Sequence, residues 1–318
     1  MNISQIISAI DDFAWGPIML ILLVGTGVFL SARMRFIQFT RIPYWWKNTA
    51  GKLFHKHEAG QGEVTPLQAL TTALAATVGT GNIAGVTGAI FIGGPGAVFW
   101  MWIAALAGMM TKYSEVVLAV RYRERNAKGD WVGGPMYYIK NGLGKSWAWL
   151  GGVFCVLAAL AAFGIGNATQ VQSIADAINN AVDSFTPNAA GTFAFLGGQV
   201  RVTTFVVGVT VAVIVALVLF GGIKRIGQVT EKLVPFMAVV YIAAALIVIF
   251  ANIRHIGTVF GMIFKGAFNA EAALGGAFGI TISTSITKVI ARGCFSNEAG
   301  LGSAPMAHAA SSETNPVK

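Results

Sequence analysis

Residues 75–85 read Ala-Ala-Thr-Val-Gly-Thr-Gly-Asn-Ile-Ala-Gly, and they set Gly79, Gly81, Thr77, Thr80 and Asn82 in the middle of an otherwise apolar stretch. Glycine costs about 1 kcal/mol against alanine inside a helix. Asparagine is expensive at membrane depth unless it has a partner. One reading is close packing, in which Gly79, Thr80 and Gly81 admit a neighbouring helix. The other is an unwound segment facing a cavity, whose free amides hold an anionic group such as an amino-acid carboxylate and whose free carbonyls hold a cation such as sodium.

Other groups with chemical potential lie further along. Phe163, Asn167 and Gln170 share one helical face at i, i+4 and i+7, which suits either a polar cavity or hydrogen bonds to a neighbouring helix. A second polar, glycine-rich pattern flanks a later apolar segment, at 275–281 and again at 296–303. Lys112 and Glu115, three apart, are spaced to pair on one helix face. Asp176 reads as a solvated end-of-helix carboxylate, and Glu298 as a gate or helix cap. His55 and His57 lack a third ligand at metal spacing. Cys155 and Cys294 are far apart in apolar surroundings and read as packing residues. No phosphate-binding loop, nucleophile elbow or paired carboxylates point to an enzyme, and Gly79-x-Gly81 follows no strand as a dinucleotide fingerprint requires.

The elements that carry these groups are set by composition. Of 318 residues, 55% are hydrophobic and 11% charged, against about 25% charged in soluble domains, so the solvent is a lipid bilayer. Seven apolar segments approach the ~20 residues of a span: 14–32, 67–91, 96–120, 147–178, 202–221, 233–251 and 272–294. Asp11 and Asp12 precede the first and Arg33, Arg35 and Arg41 follow it, so it reads as a retained span with its N-terminus outside. Alternation then places the loops 33–64, 121–146 and 222–232 and the C-terminal end on one side with most of the Lys and Arg, and Arg201, Arg254 and Lys265 on the other. The basic side is expected to be cytoplasmic. The +9 net charge is thereby accounted for by loops, and a nucleic-acid partner is not expected. Trp15, Trp45, Trp46, Trp131, Trp147 and Trp149 lie near span ends, where interfacial anchors or simple packing both place them.

The stretch Gly93-Gly94-Pro95-Gly96-Ala97-Val98-Phe99-Trp100-Met101-Trp102-Ile103, with Gly108, resembles the signature of the sodium:alanine (alanine or glycine:cation) symporter family. Residues 77–86 and 291–305 resemble the same family, so the likeness covers nearly the whole chain. The resemblance implies an all-α polytopic membrane protein with a leucine-transporter-like inverted-repeat bundle, in a bacterial or archaeal inner membrane. It implies sodium-coupled import of alanine or glycine, with sodium as a co-transported ion and not a prosthetic group. Oligomeric state is left open. Carried over residue by residue, it implies that the Thr80 and Gly81 amides meet the substrate carboxylate, that Asn82 faces ion and substrate, and that carbonyls around Ala75 and Val78, with Thr77 beside them, contribute to a sodium site. It further implies that Phe163, Asn167 and Gln170 line the cavity, and that Gly276, Gly279 and Thr281 close it opposite Thr80 with Phe278 as a lid.

Under that fold, residues 1–66 form an extra N-terminal helix and basic loop, 67–251 a first five-helix repeat, and 252–318 the start of a second. A complete second repeat needs four more helices, so the chain is expected to be truncated relative to a working symporter. The rival expectations are a channel or uniporter with the glycine-rich breaks lining a pore, and a non-transporting remnant of a symporter.

Overall fold

The computed structural model describes residues 3–49, 51, 63–164, 167–186, 191–195, 197–268 and 282–317. Helix α1 (Ile3–Ala14) leads through a turn into α2 (Pro17–Arg33), and two short helices follow, α3 (Ile37–Thr40) and α4 (Ile42–Asn48). The second span is α5 (Pro66–Thr77), a π-helical turn over Gly81–Gly85, and α6 (Val86–Gly93), bent by 47° at the break. Next come α7 (Ala97–Arg121), a hairpin of β1 (Glu124–Arg125) and β2 (Trp131–Val132), and α8 (Pro135–Tyr138). Then follow α9 (Ala148–Gly164), α10 (Ala168–Phe185), a hairpin of β3 (Thr192–Phe195) and β4 (Gly198–Arg201), α11 (Val202–Leu219) and α12 (Gly222–Ala251). The described chain ends with α13 (Ile256–Phe268), α14 (Ile282–Asn297) and α15 (Ser303–Ala309).

Among the described residues, five helices are long and apolar enough to cross a membrane, and six spans result if the bent pair is one. The fold is that of a predominantly helical polytopic membrane protein, with two short β-hairpins between helices. One expectation fails: the segment 147–178 is not one continuous helix. Helix α9 ends at Gly164 and α10 begins at Ala168, with Asn167 at the N-cap position. Gly164, Gly166 and Asn167 are all weak helix formers, and that cluster was a legible sign of the interruption.

Alanines dominate the described core, with Ala69, Ala73, Ala89, Ala97, Ala104, Ala107, Ala304 and Ala309 all buried. Helices with no hydrophobic drive to separate from lipid associate through close backbone approach, and small residues permit it. Helix α7 is the hub, packed against α2, α13, α14 and α15. Its crossing with α2 is tight, since a Cβ on Gly27 would lie 2.3 Å from the Ala107 carbonyl oxygen.

The start of α5 is specified locally. Thr65 and Gln68 form a reciprocal capping box, and Pro66 occupies the first turn where its missing N–H costs nothing. Gln68 Nε2 also donates to Glu231 Oε2 at 2.9 Å, and Thr72 bonds Thr230 at 3.1 Å, which fixes the first half of the broken span to α12. The basic end of the bundle is tied by Trp131. Arg123 and Arg125 stack over its ring at 4.2 and 4.3 Å, and its Nε1 donates to Glu63. Arg123 also donates to the carbonyls of Ala309, Ser311 and Glu313. At the far end of α10, Arg201 forms a two-pronged ion pair with Asp183.

Candidate functional site

The first break is held open by its own asparagine. Helix α5 stops at Thr77, where Val78 turns to ψ 95°. Asn82 reaches back, its Nδ2 donating to the Thr77 carbonyl at 2.9 Å, and its Oδ1 accepts from the Ser296 hydroxyl on α14. One side chain thus satisfies an orphaned helix-end carbonyl and joins the break to a second helix, which supplies the partner an asparagine at that depth needs. The Leu74 carbonyl is taken by the Val78 amide. Among the described residues no donor reaches the carbonyls of Ala75 or Val78, so the break keeps two oxygens free for a hard cation.

Gly79 lies under Gln170, whose Nε2 would be 3.3 Å from a Cβ there. Gly81 lies under Phe295 and the Ser296 backbone, at 3.6 and 3.5 Å from its own notional Cβ. The glycines thus admit neighbours, as close packing requires, and the helix is interrupted at them. Helix α14 runs antiparallel along the second half of the broken span, with Val289 against Gly93, Arg292 against Gly88, and Ser296 against Asn82.

A second interruption separates α14 from α15 at 298–302, where Glu298, Gly300 and Gly302 have φ of 49°, 87° and 79°. Left-handed backbone is cheap for glycine and strained for glutamate, and the surroundings hold it. The Glu298 carbonyl accepts from Lys112 Nζ at 3.0 Å, the Gly300 amide donates to Glu115 Oε2 at 3.2 Å, and the Glu298 carboxylate accepts from the Ser303 hydroxyl at 2.7 Å. Lys112 and Glu115 thus both act on this turn. The Glu298 carboxylate meets the Ser303 side chain and not a backbone amide of α15, whose N-cap residue is Gly302.

Of the residues singled out from sequence, Thr77, Asn82 and Gln170 come together around Gly79 and Gly81, with Thr80 between them and Ala75 and Val78 in the preceding turn. Asn167 does not join them: it is exposed, and its Nδ2 donates to the Ala162 carbonyl at 2.9 Å. Phe163 is in the last turn of α9. Gly276, Phe278, Gly279 and Thr281 lie outside the described residues. Two site residues went unassigned from sequence, Phe295 and Ser296. Their signal was position, immediately before the glycine-rich turn that forms the second break. Phe295 also meets Trp15 edge to face, with centroids 6.3 Å apart.

A family model described as the sodium:alanine symporter family matches residues 1–318. A sodium/alanine symporter, AgcS, from Methanococcus maripaludis is 46% identical, covering 99% of this chain and 65% of its own length. An amino-acid carrier protein, AlsT, from Bacillus subtilis is 38% identical over 99% of this chain and 61% of its own. A probable sodium/glutamine symporter, GlnT, from the same organism is 36% identical over 99% and 60%. The chain therefore spans somewhat under two thirds of the length of these relatives.

Proposed function

We propose, because the chain belongs to the sodium:alanine symporter family, that it serves sodium-coupled symport of a small neutral amino acid, alanine or glycine. The observation that carries the reading is the junction of two interrupted helices through Asn82 and Ser296. Paired interruptions in segments of opposed direction are how inverted-repeat transporters build a central site. On this reading the bundle is of the leucine-transporter type, with 67–251 as its first repeat and 252–318 as the start of its second. The N-terminus is outside and the Lys- and Arg-rich loops are cytoplasmic.

In the mechanism, sodium takes the free carbonyls of Ala75 and Val78, beside Thr77 and Asn82. Its charge orders the backbone that Asn82 bridges, so the Thr80 and Gly81 amides are set for the substrate carboxylate. Gln170 and Phe295 border the same space, and the aromatic ring over Gly81 favours a short side chain. Phe163, Asn167, Gly276, Phe278, Gly279 and Thr281 belong to the proposal through the family resemblance alone. Rocking of the broken helices against the rest then exposes ion and substrate to the other side.

Binding of labelled alanine to the purified chain in nanodiscs tests this, in sodium and in potassium, with glycine and glutamine as competitors. Saturable binding that requires sodium and yields to glycine before glutamine is expected. Equal binding in potassium would overturn the coupling.

A further inference from the structure

Arg292 lies in the second half of α14. It is half-buried, and its guanidinium lies against α6, with Nη1 3.1 Å from where a Cβ on Gly88 would be. Among the described residues no carboxylate, carbonyl or hydroxyl pairs with it, whereas Arg123 donates to three carbonyls and Arg201 to the Asp183 carboxylate. A side chain snorkelling to water would leave Gly88; this one stays folded onto it. A half-buried cation between two helices, without an acceptor among the described residues, is free to take a ligand.

The position is informative. Arg292 and Ser296 are four apart and so share one face of α14, and Ser296 is the residue bonded to Asn82 at the first break. The guanidinium is therefore one turn from the break, on the Gly93 side, with a glycine opposite that leaves its donors uncovered. Five N–H donors in a planar fork match a carboxylate bidentately. We propose that Arg292 is a binding residue for the carboxylate of the amino acid, capturing it one turn away from the helix-end amides before or as it settles there. This rests on the symport reading for the identity of the ligand, and on the unpaired guanidinium for the site.

The test uses the whole chain in nanodiscs and two probes, propionate, which has a carboxylate and no amine, and alaninamide, which has the reverse. The Arg Nε–H resonance that disappears in Arg292→Gln is expected to move saturably with propionate and to stay still with alaninamide. Labelled alanine should bind about tenfold or more weaker in Arg292→Gln, and by a smaller factor in Arg292→Lys, which keeps the charge and loses the fork. Gly88→Ala removes no polar group and crowds Nη1, so it should weaken propionate several-fold even if Arg292→Gln fails to fold. Unaltered alanine affinity in Arg292→Gln, or a resonance indifferent to propionate, overturns the proposal. A propionate response in a chain that binds no alanine would keep the carboxylate site and remove the symport reading.

Discussion

Asn82 carries two bonds that no other described side chain duplicates, one to the Thr77 carbonyl and one to the Ser296 hydroxyl. Replacing it with alanine leaves a carbonyl and a hydroxyl unpaired in a half-buried site. Each bond is worth about 0.5–1.5 kcal/mol net, and interhelical bonds in membranes average about 0.6 kcal/mol. The pair together should therefore contribute about 1–2 kcal/mol to holding the break in the geometry that leaves the Ala75 and Val78 oxygens free. Since about 1.4 kcal/mol is tenfold in an equilibrium constant, Asn82→Ala should raise the sodium concentration for half-maximal alanine binding by about tenfold. Ser296→Ala removes one of the two bonds and should raise it by about threefold. The two changes share a bond, so the double variant should match Asn82→Ala, and a double-mutant cycle should show the coupling. Strictly additive effects, or an Asn82→Ala variant with unchanged sodium dependence, would refute the clamp.

Three further outcomes follow from other contacts. Gly27→Ala places a methyl 2.3 Å from the Ala107 carbonyl oxygen, while Gly25 has nothing within 4 Å; the first should cost about 1–3 kcal/mol by overpacking and lower the temperature of detergent-induced unfolding, and Gly25→Ala should not. Arg123→Ala loses three carbonyl bonds and a stack on Trp131, so limited proteolysis should cut residues 309–317 faster; unchanged cleavage would contradict the tie. Hydrogen bonds from Asn141 and Lys140 hold the Glu124 carboxyl below its ordinary value. The small stabilisation this gives is present above the ordinary carboxylate pKa and fades as pH falls through the lowered one, so carboxyl NMR of Asn141→Ala should show the Glu124 midpoint moving up.

Much of this was legible along the chain, and the rest was not for definite reasons. The first break was readable because Gly79, Gly81 and Asn82 conflict with a helix at that depth, a conflict local in sequence. The apolar spans were readable from hydropathy for the same reason. The interruption between α9 and α10 was written in Gly164, Gly166 and Asn167 but masked by the apolar residues on either side, so a face drawn through Phe163, Asn167 and Gln170 joined residues of two different helices. The partnership of Asn82 with Ser296 joins positions 214 apart, and no local pattern encodes which of several polar residues a buried asparagine meets. Lys112 and Glu115 were correctly seen as neighbours, yet both turn to the backbone of the second break, because a strained loop offers unsatisfied amides and carbonyls that a helix does not.

The proposed function comes down to one step, in which sodium bound at the first break drives the amino acid across the membrane. Uptake of labelled alanine by proteoliposomes holding the chain measures this directly. With sodium high on one side, alanine is expected to accumulate above its external concentration and to run down when an ionophore collapses the gradient. Alanine that merely equilibrates, at the same rate with and without the gradient, would contradict the account.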